Sequence, residues 1–448
     1  MAVITEQKPE ITNRRSLRLS WIWDVLLIVV LLIAAYFRFT GITWDDNHHL
    51  HPDERFLTMV ETSISPVKNL GEYFNTATSS LNPNNQGYTF YVYGTLPIFI
   101  VRYVGGWLGQ SGYDQINVVG RVLSGIFDLG TIVMIYLIGK RLYRNARVGI
   151  LAALLLALAV LPIQLSHYFA VDTFANFFVY AALYAAVCIA TKQNKSDSLE
   201  TEKTSPVGKI WWLQNWRDFI PFATFGLLYG MALASKVSVY ALALTLPLAA
   251  WLFYLSLPRE KRENALPFIV RNLVLAGIIA FITFRFFQPY SFMGPGFFGL
   301  KINQNWLNNL KELRTISSGT VDVPYALQWA RRPITFAFEN MVKWGLGLPL
   351  GIAAWVGFLW MAWRSYKGDW KRHLLILFWA AFVFITQSLN PVRAMRYQLP
   401  AYPALVLIAA WMIMKLWELP SNKIQKITRF HVNWNKVFSS IILAVVVS

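Results

Sequence analysis

The sequence predicts an all-α membrane protein with roughly 10–12 bilayer-spanning helices. Of its 448 residues, 56% are hydrophobic and only 14% are charged, and the mean hydropathy is +0.41. A helix needs about 20 apolar residues to cross a bilayer, and runs near that length recur throughout the chain. They are residues 22–37, 119–138, 148–165, 173–190, 219–234, 237–257, 266–287, 344–363, 374–389 and 397–417. A transmembrane β-barrel would instead need short segments of alternating polarity, which are absent from this sequence.

The distribution of basic residues predicts which loops face the cytoplasm. The chain has 41 Lys and Arg against 23 Asp and Glu, a net charge of +18. Cytoplasmic loops of membrane proteins are enriched in Lys and Arg, and 26 of the 41 lie in six segments between or beside the apolar runs. The net charge therefore indicates a lipid bilayer as the partner, and no nucleic acid. The six segments are 1–21, 140–147, 191–218, 256–271, 363–373 and 415–436.

This assignment of cytoplasmic segments divides the chain into three parts. Residues 1–21 are a cytoplasmic tail, and the run that follows is an uncleaved signal anchor because no small-residue cleavage site closes it. Residues 22–420 form the membrane domain, with long outer loops at 39–118 and 288–340. Residues 421–448 are expected to be a cytoplasmic linker and the start of a further span, so truncation at the C-terminus stays open.

Two segments of the outer loops are expected to be helices that do not cross the membrane. Residues 90–108 suit a span or a helix at the membrane surface, and we favour the surface because Pro97, Arg102 and several aromatic residues suit the interface. That choice also places segment 140–147 in the cytoplasm. Residues 301–314 read as a short amphipathic helix.

The densest titratable chemistry follows the first apolar run, in "DDNHHLHPDER" at residues 45–55. Neighbouring carboxylates beside an imidazole suit a general base or a divalent-cation site, although a solvated polar loop is the simpler alternative. A position beside a span end favours chemistry, because a group there meets a lipid-borne substrate. The candidate base is Asp53 or Glu54, and the candidate metal ligands are His48, His49, His51, Asp53 and Glu54.

A second set of candidates consists of ionisable residues within or at the ends of predicted spans. Charge inside a bilayer is costly and tends to serve a function or a partner. Asp128 suits a helix–helix contact as well as a site, whereas Asp172 lies at an outer end. Several cations near the outer face suit a phosphate or pyrophosphate, although snorkelling towards lipid headgroups is the alternative. These cations are Lys236, Arg285, Arg393 and Arg396.

Five segments in a fixed order carry a family resemblance. They are "HPDERFL", "GRVLSGIFDLGTIVMIYLIGKRLY", "LPIQLSHYFAVDTFANFFVYAALYAA", "GLLYGMALASKVSVYALALTLPLAA" and "RAMRYQLPAYPALVLIAA". Across roughly residues 20–420, the sequence resembles the GT-C glycosyltransferases that use a polyprenyl-phosphate sugar donor, in the protein O-mannosyltransferase and aminoarabinose transferase branch. The resemblance implies a GT-C-like helix bundle and a transferase acting on the outer face of the cytoplasmic membrane.

The resemblance also implies roles for single residues. The donor would be a sugar on undecaprenyl or dolichyl phosphate, and the acceptor a hydroxyl of a protein, lipid or glycan. The family's first-loop base falls on Asp53 or Glu54, and its acidic residue after the second outer turn on Asp172, with His167 nearby, for positioning the acceptor or a cation. Relatives often have a simple acidic pair here, so the added histidines leave metal dependence open. Residues matching the donor-phosphate positions are Lys236, Arg396 and Tyr397, to which the cations Arg285 and Arg393 are added.

The predicted reaction is a direct displacement with inversion at the anomeric carbon. The enzyme would hold the phosphate, deprotonate the acceptor hydroxyl and align the two. A secondary transporter, with Asp128, Asp172 and Lys236 as coupling residues, and a carrier-lipid flippase are the alternatives. The transporter accounts poorly for the density of carboxylates outside the membrane. A flippase would share the cationic face, but it would not lose a transfer activity when the carboxylates of the HPDE motif are neutralised.

Overall fold

The computed structural model describes residues 20–192 and 216–418, with a few positions between 436 and 444. These residues form a multi-pass helical membrane protein, and the only β-type pairing among them is an isolated bridge between Phe292 and Ile302. Most of the predicted tail 1–21, the centre of segment 191–218 and most of 421–448 lie outside the described residues.

The α-helices are numbered in chain order. They are α1 Ser20–Phe39, α2 Pro52–Ser63, α3 Leu70–Tyr73, α4 Thr95–Trp107, α5 Tyr113–Tyr143, α6 Ala146–Leu158, α7 Val160–Ser166, α8 Val171–Ala190, α9 Trp216–Ser235, α10 Thr245–Ser256, α11 Arg259–Phe287, α12 Gln304–Ser317, α13 Pro324–Ala330, α14 Phe336–Asn340, α15 Leu348–Arg364, α16 Trp370–Leu389 and α17 Tyr402–Glu418. Short 3₁₀ segments are Pro83–Gln86, Val237–Leu244, Pro289–Ser291 and Met395–Ala401, and π-helical turns are Met341–Gly345 and Ser365–Asp369.

Every predicted apolar run corresponds to a helical segment that could cross a bilayer. Two of the runs share one long segment, and one run is a pair of helices joined by a bend. Eight segments of the described chain pass on length and composition, and α6 with α7 make a ninth that is bent by 60°. The segment Leu348–Leu389 is 42 residues long and breaks at Gly368, where φ is 125°. Because the rings of Trp355 and Phe384 lie 4.5 Å apart, α15 and α16 fold back on each other and supply two spans.

The helices predicted outside the spans are also present. Helix α4 has 13 residues, which at 1.5 Å per residue gives a length of about 20 Å, too short to cross a bilayer. Helix α12 begins and ends three residues later than the predicted 301–314.

The bend between α6 and α7 is stabilised by an arginine from the first span. Ala159 has an extended backbone, with φ −67° and ψ 128°, which interrupts the helical hydrogen bonds. Arg38 donates from Nη1 to the freed carbonyl oxygen of Ala157 at 2.9 Å, and its Nε donates to Asp128 Oδ2 at 2.7 Å. Both charged side chains are removed from solvent. Asp128 is therefore a helix–helix partner, which was one of its two predicted roles.

Small residues bring α9 and α11 into close contact. A Cβ on Gly226 or on Gly230 would overlap the carbonyl oxygen of Ala276 or of Ala280 respectively. Such small-residue contacts are the usual means of close helix packing in membranes. This packing fixes α9, and the residue after its last position is Lys236.

The two long loops predicted to lie outside pack against each other on one face of the bundle. Thr95 N donates to Gln288 Oε1 at 2.7 Å, Thr76 Oγ1 donates to the carbonyl of Phe292 at 2.6 Å, and Asn309 Nδ2 donates to the carbonyl of Thr89 at 3.0 Å. A second hydrophobic core, separate from that of the spans, lies under these loops and includes Leu57, Val60 and Phe99.

Candidate active site

The motif His51–Glu54 forms the first turn of α2. His51 is the N-cap and Pro52 occupies the first helical turn, where its fixed φ and missing N–H cost nothing. Asp53 and Glu54 follow in the same turn, where the helix dipole favours negative charge. Successive helix positions project about 100° apart, so the two carboxylates face different surroundings.

Glu54 points into the protein and is held by Arg121 of α5. Arg121 donates from Nε to Glu54 Oε1 at 2.7 Å and from Nη2 to Oε2 at 2.8 Å, and both side chains are fully buried. Phe169 N donates to Glu54 Oε1 at 3.0 Å, and Arg121 Nη2 also reaches Asp45 Oδ2 at 2.8 Å. Since its oxygens are already occupied, the structure places Glu54 in a buried clamp that ties α2 to α5.

Asp53 lies on the other side of this turn and is partly open to solvent. Its Oδ1 accepts a hydrogen bond from Tyr93 Oη at 3.0 Å, and its Oδ2 forms an ion pair with Arg396 Nη1. The side chain of Asp53 is 19% exposed and that of Arg396 is 30% exposed. Of the two candidate bases, Asp53 is the one that a ligand can reach.

A second ion pair lies beside the first. Lys236 Nζ is 2.5 Å from Asp172 Oδ1, with Asp172 mostly buried at the start of α8. The ring of Tyr397 connects the two pairs, because Lys236 Nζ lies 5.3 Å and the Arg396 guanidinium carbon 5.6 Å from its centroid. Both are cation–π distances.

Four separate parts of the chain thus meet at one place. We call this group the Asp53 cluster and define it by His51, Asp53, Asp172, Lys236, Arg396 and Tyr397. Its two carboxylates and two cations come from the start of α2, the start of α8, the end of α9 and the 3₁₀ segment Met395–Ala401. The structure therefore brings together residues from four of the five sequence segments that carry the family resemblance.

His51 contributes a neutral ring to this cluster. Its Nδ1 accepts a hydrogen bond from Glu54 N at 3.3 Å, and its ring stacks on Tyr168 at 4.2 Å between centroids. Burial, followed by the positive charge of Arg396, lowers the pKa of His51 to about 4, against a smaller opposing effect of Asp172. The ring is therefore uncharged at neutral pH.

A backbone contact joins the first outer loop to the end of α9. Gly94 N donates to the carbonyl of Ser235 at 3.2 Å, and a Cβ at Gly94 would overlap the backbone of Ala234 and Ser235. Only glycine fits this approach. The neighbours of this contact are Tyr93, which holds Asp53, and Lys236.

Arg285 does not belong to the cluster, although the sequence favoured it as a phosphate ligand. It is completely buried, and it donates to the carbonyls of Phe297, Pro289 and Gly296. Its guanidinium also lies over the rings of Phe74, Phe292 and Phe297. The contacts of this cation secure the loop after α11.

Arg393 and His167 also contact backbone carbonyls. Arg393 donates to Ser388 O at 2.9 Å and to Arg332 O at 2.8 Å, which joins the second outer loop to the end of α16. His167 lies 2.8 Å from Ile163 O and 3.0 Å from Thr40 O through its two ring nitrogens. The positions of both side chains are set by the loops that they connect.

The candidate metal ligands do not fit a metal site. His48 is exposed, and His49 stacks on Tyr113 and contacts Asp114 at 3.0 Å. Glu54 is occupied by Arg121, and the Nδ1 of His51 accepts from the backbone. Across residues 20–192 and 216–418, no three His, Cys, Asp or Glu side chains are placed to hold an ion together.

Arg121, Tyr93 and Tyr168 support the site and were not predicted from the sequence. Arg121 carries a usable signal, because it is a charge inside segment 119–138 and lies two helical turns before Asp128. The two tyrosines carry none, since the chain has 20 tyrosines and nothing in the sequence separates these two from the rest.

Comparison with known proteins locates the fold. A family model described as dolichyl-phosphate-mannose-protein mannosyltransferase matches residues 113–199, a minor part of the chain. No curated protein sequence matches. Several solved structures are similar over almost the whole chain, which spans less than two thirds of their length.

The first is the oligosaccharyltransferase of Archaeoglobus fulgidus in complex with Zn and sulfate, with a TM-score of 0.56, 15% identity and coverage of 94% of this chain and 51% of that one. The second is AglB from the same organism in complex with an inhibitory peptide and a dolichol-phosphate. Its TM-score is 0.53 and its identity 14%, and the match covers 96% of this chain and 55% of that one. The third is ArnT from Cupriavidus metallidurans bound to undecaprenyl phosphate. Its TM-score is 0.52 and its identity 14%, and the match covers 95% of this chain and 64% of that one. The chain therefore has the fold of these solved structures, and the GT-C-like helix bundle that the five sequence segments implied is confirmed.

Proposed function

We propose that this protein is a membrane glycosyltransferase that moves a sugar from a polyprenyl-phosphate carrier to an acceptor hydroxyl on the outer face of the cytoplasmic membrane. The observation that carries the proposal is the pairing of Asp53 with Arg396 directly beside that of Asp172 with Lys236. An accessible carboxylate next to two cations matches the needs of a reaction that deprotonates a hydroxyl and releases a phosphate.

The roles follow from the geometry of the Asp53 cluster. Arg396 and Lys236 bind the phosphate of the donor, Arg396 as a planar fork and Lys236 as a point charge. Once the phosphate competes for Arg396, Asp53 is free to take the proton of the acceptor hydroxyl, and Tyr93 keeps its carboxylate in place. The base and the phosphate site lie on different elements, which suits displacement at the anomeric carbon with inversion.

The geometry supports narrower roles for three of the predicted residues. Glu54 acts as a structural partner of Arg121 and not as the base. Arg285 and Arg393 stabilise loops, since their donors are directed to backbone carbonyls. No step of the reaction is assigned to a metal, because the candidate ligands are not grouped around one position among the described residues.

The transporter alternative has less support. Asp128, the deepest of its proposed coupling residues, is fully buried and paired with Arg38, and a coupling carboxylate has to exchange its ion or proton. Asp172 and Lys236 lie with Asp53 at the loop-rich face.

The test is transfer of radiolabelled sugar from a panel of polyprenyl-phosphate sugars by the purified protein in lipid. Wild type should transfer from at least one donor, and Asp53→Asn should lose about 100-fold or more of the rate while still binding the donor. An EDTA arm tests metal dependence, given the Zn in the A. fulgidus structure. If no donor supports transfer, or if Asp53→Asn transfers as fast as wild type, the proposal is wrong.

A further inference from the structure

His51 is held in one tautomer by the helix that it caps. Its Nδ1 accepts the backbone N–H of Glu54, so Nδ1 carries no proton and the single proton of the neutral ring lies on Nε2. Stacking on Tyr168, with 20° between the ring planes, limits rotation of the imidazole. The ring therefore presents one N–H in a defined direction.

That N–H has no partner within the described chain. Nε2 makes no protein hydrogen bond there, and it is not among the buried polar atoms that lack a partner, so it remains accessible. A half-buried ring with an accessible donor is placed to meet a ligand.

The surroundings of the ring identify the ligand's chemistry. Arg396 and Asp172, one member of each ion pair in the cluster, are close enough to His51 to shift its titration. Because His51 caps the helical turn whose Asp53 pairs with Arg396, the accessible N–H belongs to the same cluster as the two cations that suit a phosphate. A neutral donor there adds direction to the charge that Arg396 and Lys236 supply.

We propose that His51 is a donor-binding residue whose Nε2–H donates a hydrogen bond to a phosphate oxygen of the lipid-phosphate substrate. This inference rests on the proposed function, because it names how the same site recognises its donor. It assigns His51 neither as a base nor as a metal ligand, since Nδ1 is engaged and Nε2 is protonated. A phosphate needs no proton in order to leave, so a ring that stays neutral suits this position.

Two substitutions separate the cap from the hydrogen-bond donor. Asparagine is among the best N-cap residues, so His51→Asn keeps the acceptor for Glu54 N and removes the group at the position of Nε2. Glutamine is a poor cap, but its longer side chain carries an amide N–H to approximately the position of Nε2. We expect helix stability to follow the cap and ligand binding to follow the N–H.

The experiment measures binding of undecaprenyl phosphate and of undecaprenol to the full-length protein in lipid nanodiscs, together with its thermal unfolding. His51→Asn should unfold at the wild-type temperature and bind undecaprenyl phosphate about tenfold more weakly or worse. His51→Gln should unfold earlier, yet bind within about threefold of wild type. Undecaprenol, which lacks the phosphate, should bind all three proteins alike.

The controls separate failure of this inference from failure of the proposed function. If wild type binds neither undecaprenyl phosphate nor dolichyl phosphate, both are wrong. If Lys236→Gln weakens binding and His51→Asn does not, the inference about His51 fails alone. Equal weakening of undecaprenyl phosphate and undecaprenol by His51→Asn would also overturn it, because the ring would then contact the lipid chain.

Discussion

Arg121 holds Glu54 through two parallel hydrogen bonds, from Nε at 2.7 Å and from Nη2 at 2.8 Å, and neither side chain is exposed. Because of this bidentate contact, the adjacent carboxylates of Glu54 and Asp53 differ in their surroundings, although both belong to the first turn of α2. Glu54 fixes α2 against α5, and Asp53 is thereby presented to the ion pairs of the loop-rich face.

Replacing Arg121 by methionine should destabilise the protein strongly. The change leaves the carboxylates of Glu54 and Asp45 buried without their cation, which typically costs about 3–5 kcal/mol of unfolding free energy. Thermal or denaturant unfolding in lipid measures the effect. Arg55→Met is the matched control, because Arg55 lies on the exposed side of α2 and should change stability by less than about 0.5 kcal/mol. If both changes lowered the unfolding free energy equally, the contact between Arg121 and Glu54 would contribute no more to stability than an exposed arginine does.

Lys236 and Arg393 should differ in donor binding although both were predicted to contact the phosphate. Lys236→Gln should weaken binding of undecaprenyl phosphate about tenfold or more, since it removes a charge-assisted contact. Arg393→Gln should change the affinity by less than about twofold, because its contacts are to the carbonyls of Ser388 and Arg332. The affinity of the detergent-purified variants for undecaprenyl phosphate is the measurement. A larger loss of affinity in Arg393→Gln than in Lys236→Gln would mean that Arg393, and not Lys236, binds the phosphate.

Glu61 of α2 should make stability depend on pH. Its carboxyl is fully buried and finds no hydrogen-bond partner among the residues that the structure describes, and burial raises its pKa well above the usual value, against a smaller opposing effect of Arg102. The folded state therefore keeps the proton above pH 4.5, where the unfolded chain releases it. Stability from this group falls as the pH rises above that value towards the folded-state pKa.

The substitution Glu61→Gln removes this titration while keeping the shape of the side chain. The variant should unfold at a higher temperature than wild type at pH 7–8, and the difference should shrink as the pH falls towards 4.5. Glu312→Gln, at an exposed position of α12, is the control for loss of one negative charge. A Glu61→Gln effect that is the same at every pH would contradict the prediction.

Gly94→Ala should reduce transfer without touching any charged residue of the site. A methyl group there overlaps the backbone of Ala234 and Ser235, so either the first outer loop or the end of α9 has to shift. A misplacement of about 1 Å can cost about 100-fold in rate. Gly106→Ala in α4 is the matched control, because nothing lies within 4 Å of the added methyl. Transfer rates of the two variants in lipid, at wild-type levels of folded protein, provide the comparison.

The spans were predictable because the bilayer imposes one requirement on every crossing helix, an apolar run of sufficient length. The bend at Ala159 was not predicted, since the sequence 148–165 remains apolar through it and the side chain that reaches the freed carbonyl of Ala157 is Arg38, from another helix. By contrast, the fold-back at Gly368 was predictable, because a basic segment, 363–373, separates the two apolar runs.

The cluster was predictable as a group but not residue by residue. Asp53, Asp172, Lys236 and Arg396 were each placed near the outer face by their span ends, and such ends meet at one surface. Asp53 and Glu54 were indistinguishable in sequence, since only the position of Arg121 decides which of them is buried. Arg285 and Arg396 also look alike as isolated cations at span ends, although one is enclosed by aromatic rings and the other faces the site.

The contact between Gly94 and Ser235 has a consequence for how the site opens. Tyr93 and Lys236 each adjoin this backbone contact, so the residue that supports Asp53 and one of the two cations proposed to bind the phosphate are tied together by it. Arg396 belongs to a different element, the 3₁₀ segment before α17. We therefore expect entry and release of the lipid to occur by displacement of the Arg396 side, while the opposite wall of the site keeps its shape throughout turnover.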